Sequence, residues 1–184
     1  MRVLIVLYDG FTEYEYVIPL MALHHQDIPF ETAGLSNTET TGMTGLKAFT
    51  ATTIHEVNVG QYTALLLPGI DHEKRDYTLR DERLLALIRD FDRAGKLIAA
   101  VCAAPVFLGA AGVLHGRQFC SEVQNHPAFT GAIRSPRPAV RDGHVLTGLG
   151  SRIFHFTALL VEALAGKENG DEYRKWAGLD VEAH

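Results

Sequence analysis

Cys102 lies between a run of small and branched apolar residues and a proline-led segment, in "KLIAAVCAAPVFLGAAG". A cysteine in that place has the layout of a nucleophile elbow: a buried strand, one reactive side chain, small residues, then a helix. The small residues have a steric reason. A sharp turn brings strand and helix backbones together, and Ala100, Ala103 and Ala104 fit where larger side chains would collide. Pro105 suits a first helical turn, where its missing N–H has no partner to lose. The expectation is a strained thiol whose pKa is lowered by the dipole and the free N–H groups at a helix start. The competing reading is a buried cysteine that packs as a small hydrophobe. The glycines of a GxSxG elbow are absent, so the turn rests on its steric pattern.

Other chemistries have less support. The two cysteines do not form a disulfide-framework pattern, and the chain reads as a reduced cytoplasmic protein. Its nine histidines include no HxxxH or HxxEH pair, so no metal site is expected. Walker and GxGxxG phosphate loops are missing, which points to chemistry without a cofactor. A net charge of −5 lacks the electrostatic footprint of a nucleic-acid binder. The densest basic cluster (Arg134, Arg137, Arg141) is interleaved with proline and reads as a solvated loop. No apolar run approaches the ~20 residues that span a bilayer. An apolar strand begins at Arg2, which leaves no room for a signal peptide.

The elements that must position Cys102 alternate along the chain. "RVLIVLY", "YTALLLPG" and "KLIAAVC" are short continuous apolar runs, the pattern of strands covered on both faces. "PFETAG" and "HVLTGLG" read as further strands. Gly34 to Gly60 has no helical period and suggests short edge strands or a hairpin. Helical periodicity runs from Tyr14 to His25 and from Leu79 to Arg93, the latter with Leu84, Leu85, Leu87, Ile88 and Phe91 on one face. A short helix follows the elbow. Ser151 is placed to cap a last long helix through Leu164, ending at Gly166, and the polar tail from Asn169 to His184 suggests a short surface helix. With 184 residues, 47% of them hydrophobic, the chain suits one domain over 1–184. Alternation of this kind predicts an α/β sandwich with a mainly parallel sheet. Ligands then bind beyond the carboxyl ends of the strands, after Tyr8, Leu67 and Val101.

Taken together, "VLIVLYDGFTEYEYVIPL", "ALLLPG", "LIAAVCAAP" and "DGHVLTGLGSRIFHFTALLVEALAGKE" resemble the ThiJ/PfpI superfamily over roughly Arg2 to Lys167, in its deglycase/ThiJ branch. The resemblance implies a flavodoxin-like three-layer sandwich, akin to class I glutamine amidotransferases, and a homodimer. It places the acidic partner of Cys102 at Glu15, with Glu13 as a competing acid that falls before the helical pattern. Backbone N–H groups at Ile70 and Ala103 are the expected oxyanion donors, although relatives usually carry a second glycine where Ile70 stands; Gly69 would line the site. The branch has a His-Pro shortly after the elbow helix. "NHP" offers His126 as the base, the favoured assignment because histidine suits proton transfer near neutral pH. An ungapped count puts Glu122 there instead. Cys120 lies in the same stretch, as a site-lining thiol or a core residue. Tyr14 and Tyr16 suit an interface, the core or the pocket.

The resemblance implies a cysteine-dependent glyoxalase or deglycase acting on α-oxoaldehydes such as methylglyoxal. The alternative is a redox sensor or chaperone-like stress protein built on an oxidisable Cys102. An amidase or peptidase comes third, because Ala103 stands where the protease-like branches carry histidine directly after the nucleophile.

Overall fold

The runs that read as buried strands form the middle of one sheet. The computed structural model describes residues 2–179. Its strands are β1 (Val3–Leu7), β2 (Phe30–Gly34), β3 (Glu39–Thr41), β4 (Lys47–Phe49), β5 (Thr52–Thr53), β6 (Ala64–Leu67), β7 (Leu97–Val101), β8 (Gln118–Phe119), β9 (Ile133–Arg134), β10 (Ala139–Asp142) and β11 (Val145–Gly148). Its helices are α1 (Glu13–His25), α2 (His72–Thr78), α3 (Glu82–Arg93), α4 (Pro105–Ala110), α5 (Ile153–Ala165) and α6 (Lys167–Trp176). The seven-stranded sheet has the order β10-β11-β7-β6-β1-β2-β5. All its pairings are parallel except the edge pair β10–β11.

Every residue of β1, β6, β7 and β11 is buried, because helices cover both faces of the sheet. Helices α1 and α5 pack together, with α5 lying on β11, β10 and β7. On the other face α3 packs against β6, β7 and α4. The layers follow from the sequence pattern: α3 buries Leu84, Leu85, Leu87, Ile88 and Phe91, the stripe expected of a surface helix. Each fully buried branched side chain contributes about 1.5–3 kcal/mol. Strand order reverses beside β1, with β2 on one side and β6 on the other. The carboxyl ends of β1, β6, β7 and β11 therefore meet at one rim, where such sheets hold their ligands.

Some boundaries differ from the sequence expectation. The helix expected from Leu79 starts at Glu82, where the Asp81 carboxylate accepts the Arg83 N–H and caps α3, and the separate helix α2 ends just before Leu79. Ser151 does not cap α5. It sits in a 3-10 turn, Gly150–Arg152, and the cap position falls on Arg152 with no side-chain bond. The Gly34–Gly60 segment holds the β3–β4 hairpin and β5. Edge strand β10 and the small β8–β9 pair carried no periodic signal, since two to four residues are too few to show one. Gly166 ends α5 with φ +95°, a conformation that suits glycine. The expected tail helix is α6; residues 180–184 lie outside the described residues. Among the described residues no helix is long and apolar enough to cross a membrane.

Candidate active site

Cys102 has φ +63°, one of two non-glycine residues in the left-handed region among the described residues. That conformation costs a side-chain-bearing residue on the order of 1–3 kcal/mol. The surroundings hold it there. Its N–H donates to the Gly148 carbonyl at the end of β11 (2.8 Å). Its carbonyl accepts the Glu122 N–H (3.0 Å) and the Ser121 hydroxyl (2.6 Å). With both backbone polar groups engaged from neighbouring segments, the thiol is turned out of the strand and into the rim.

Glu15 meets it from α1. The side chain is fully buried in the first helical turn, and its Oε2 accepts the Gly69 N–H (2.9 Å). Oε1 is buried with no hydrogen-bond partner. Four residues on, Pro19 has no N–H to return to the Glu15 carbonyl. The pair is packed between two glycines. A Cβ added at Gly69 would lie 2.0 Å from Glu15 Oε2 and 2.8 Å from Cys102 Cβ. One added at Gly150 would lie 2.1 Å from Glu15 Oε1 and 3.0 Å from Cys102 Sγ. The thiol sulfur and the orphaned carboxyl oxygen therefore flank the same point, and no side chain fits between them. Gly150 was not singled out in the sequence; "GLGS" directly after a buried strand was the available signal.

The electrostatics overturn one expectation. Burial pushes the Cys102 thiol well above the ordinary value, the Glu15 charge adds to that and Glu122 adds further, while the Ala103 N–H lowers it by less. The helix start does not depress this thiol, because desolvation and two carboxylates outweigh one short helix. Burial also raises Glu15, against smaller opposing contacts with Tyr14, Cys102 and the Gly69 N–H. Thiol and carboxyl titrate as a coupled pair. Tyr14, pushed up by burial and then by Glu15, Cys102 and Glu122, has its phenol among these groups and belongs to the site. Tyr8, beneath them, is buried and donates to the Pro68 carbonyl. Tyr16 instead packs edge-on against Phe11.

The two candidate oxyanion donors sit at this rim. Phe11 and Ile70 form an isolated bridge whose bonds run from Thr12 N–H to Gly69 O and from Asp71 N–H to Gly10 O. That leaves the Ile70 N–H without a backbone partner. The Ala103 N–H, next along the elbow, also has no backbone acceptor among the described residues and lowers the pKa of the Cys102 thiol.

The alternatives for the third position separate. Glu122 lies against Cys102 through its backbone, and its carboxylate accepts both the N–H (3.0 Å) and the hydroxyl (2.7 Å) of Ser151. His126, the favoured assignment from sequence, starts a 3-10 turn, Pro127–Phe129, where its Nδ1 accepts the Ala128 N–H (3.2 Å). It lines a cavity of about 480 Å³ with Phe119, Phe129 and Arg134, and none of these contacts reaches Cys102 or Glu15. The residue in contact with Cys102 is thus Glu122, the one reached by the ungapped count. Cys120 faces the sheet: its Sγ approaches the Thr147 carbonyl (3.3 Å), and burial pushes its pKa up to about 11. Glu13, expected before the helix, is the first residue of α1. It accepts from the N–H and hydroxyl of Thr44 and ties α1 to the β3–β4 hairpin. Among the described residues no group of three or more His, Cys, Asp or Glu could hold a metal ion.

A thiol, a buried proton acceptor and two outward N–H groups can add a nucleophile to a carbonyl and move the protons this requires. Comparisons with known proteins agree on the kind of molecule. The sequence profile described as the DJ-1/PfpI family matches residues 1–163. An uncharacterised protein of Archaeoglobus fulgidus is 31% identical over 149 residues, 80% of this chain and 88% of its own. Protein dj-1beta of Drosophila melanogaster is 28% identical over 94% of each chain. A deglycase of Thermococcus kodakarensis is 30% identical over 67% of this chain and 73% of its own. Among solved structures, a DJ-1 superfamily protein of Agrobacterium tumefaciens superposes with a TM-score of 0.85 at 26% identity, covering 97% of this chain and 98% of that one.

Proposed function

The chain belongs to the DJ-1/PfpI family, and from that premise we propose that it is a cofactor-free, cysteine-dependent enzyme acting on small reactive α-oxoaldehydes. The observation that carries the reading is the left-handed Cys102 set against a buried Glu15 whose Oε1 has no partner. In methylglyoxal the aldehyde carbon is the electrophile. Sγ bonds to it as Glu15 takes the thiol proton, and the carbonyl oxygen, received by the Ile70 and Ala103 N–H groups, is protonated to give a hemithioacetal. Glu15 then removes the proton from that carbon and returns one to the neighbouring carbon. The product is a thioester of lactate, which water hydrolyses to lactate and free thiol. The raised pKa values of the pair suit this role, since a carboxyl with elevated pKa is a better base toward a thiol and a carbon acid. The same attack on aldehyde adducts of amines or thiols is the deglycase version, and the name of the Thermococcus relative supports it.

We also infer that a second copy pairs on the α1 face, where Val17, Met21 and nearby Trp176 are exposed apolar groups. The functional reading is tested by lactate formation from methylglyoxal by the purified protein. Cys102→Ala should reduce it to the uncatalysed background; equal rates for the two proteins would sink the reading.

A further inference from the structure

The third position of the site carries a carboxylate instead of an imidazole, and its setting decides what that does. Glu122 is held at the backbone by the Cys102 carbonyl and at the carboxylate by the N–H and hydroxyl of Ser151. Ser151 follows Gly150, whose α-carbon face lies against the Cys102 sulfur. Behind the thiol stands the fully buried Glu15 with its unpartnered oxygen. A cation nearby in sequence is engaged elsewhere. Arg134 donates to the carbonyls of Ser121, Val123 and Gln124 and stacks over Phe119 and Phe129. The charges that act on Cys102 are those of Glu15 and Glu122. The Ser151 N–H, which could otherwise attract an anion, is taken by Glu122.

We propose that Glu122 at the mouth and Glu15 behind the thiol make Cys102 a charge-selective nucleophile, open to neutral and cationic carbonyl compounds and closed to those bearing a carboxylate or phosphate. The proposal rests on Cys102 being the reacting group of the site and deepens the functional reading by naming its substrate class. Neutral α-oxoaldehydes and aldehyde adducts on amines or guanidines are admitted. An α-oxo acid such as glyoxylate brings its own negative charge up against these two acidic groups and is rejected. Two unit charges a few ångströms apart near a protein surface repel enough to change a rate about tenfold, even after solvent screening.

The test does not need turnover. In a Cys120→Ser background, Cys102 is treated with three methanethiosulfonates: cationic trimethylammonium-ethyl, neutral methyl and anionic sulfonatoethyl. In each case sulfur attacks the sulfenyl sulfur and methanesulfinate leaves. Rates are divided by those of a small free thiol. At low ionic strength the cationic reagent should outpace the anionic one about tenfold, with the gap closing at roughly 0.5 M salt. Glu122→Gln should shrink the ratio several-fold. A ratio near one, a preference for the anion, or no reaction with the neutral reagent overturns the proposal, and an unchanged ratio in Glu122→Gln overturns the part given to Glu122. A protein that shows the selectivity but forms no lactate from methylglyoxal keeps this inference and loses the enzymatic one.

Discussion

The elbow at Cys102 and the stretch from Cys120 to Arg134 both offer residues that chemistry uses, and they treat them in opposite ways. At the elbow a cysteine is held in a left-handed conformation beside a buried carboxyl with an orphaned oxygen. Along the stretch, Cys120 is satisfied by Thr147, His126 accepts a backbone N–H, and the Arg134 guanidinium is taken up by three carbonyls. The stretch also borders an open cavity of about 480 Å³. Neither a histidine nor empty space marks the reactive place. Strain and an unsatisfied buried group do, because each costs free energy that a purely structural role would have removed.

Substitutions can break that contrast, the largest effects coming first. Cys102→Ser should lower conversion of methylglyoxal roughly a thousandfold, as loss of a covalent nucleophile does, whereas Cys120→Ser should stay within about twofold on the same lactate assay. Comparable losses in both would erase the difference between the two cysteines. Gly150→Ala comes next. Its methyl would enter the gap between Glu15 Oε1 and Cys102 Sγ, and a displacement of about an ångström costs on the order of a hundredfold. Retained activity, with a normal fold by circular dichroism, would mean the pair does not act together.

The pH profile sharpens the comparison further. Because burial and the Glu15 charge raise the thiol, alkylation of Cys102 by iodoacetamide should keep accelerating beyond pH 9.0, the ordinary thiol value. Removing the charge in Glu15→Gln should move that curve to lower pH. A plateau near neutrality in the parent protein would restore the depressed thiol expected from the helix start. Stability carries the matching sign. Glu15 is raised in the folded state, so its contribution is fully present below its ordinary value of 4.5 and is lost as pH rises through the folded value. Chemical denaturation should show this decline in the parent and not in Glu15→Gln. His126→Ala is expected to have the smallest effect, within about twofold on activity, and a hundredfold loss there would return it to the site.

How much was legible depended on how local the signal was. The apolar runs Val3–Leu7, Ala64–Leu67 and Leu97–Val101 declared buried parallel strands, since a residue covered on both faces has to be apolar wherever its neighbours come from. The turn at Cys102 was equally legible, because crowding between a strand and the next helix is a local matter answered by alanines and a proline. Glu15 was placed by family resemblance. Gly150 and Tyr14 needed the fold, since Gly150 faces Glu15 and Cys102, and Tyr14 meets Cys102 and Glu122, all from distant parts of the chain.

From the sequence by itself, the α/β order, the strand-to-helix turn and the thiol on it were determined, since each depends on neighbours along the chain. Tertiary structure alone decided what surrounds that thiol. It put Glu122 and not His126 against Cys102, turned Cys120 into the sheet, and raised the pKa that a helix start was expected to lower. The reason is physical: charge proximity and desolvation depend on distance in space, and here β11, α1 and the 121–122 loop converge on Cys102 from three separate parts of the chain.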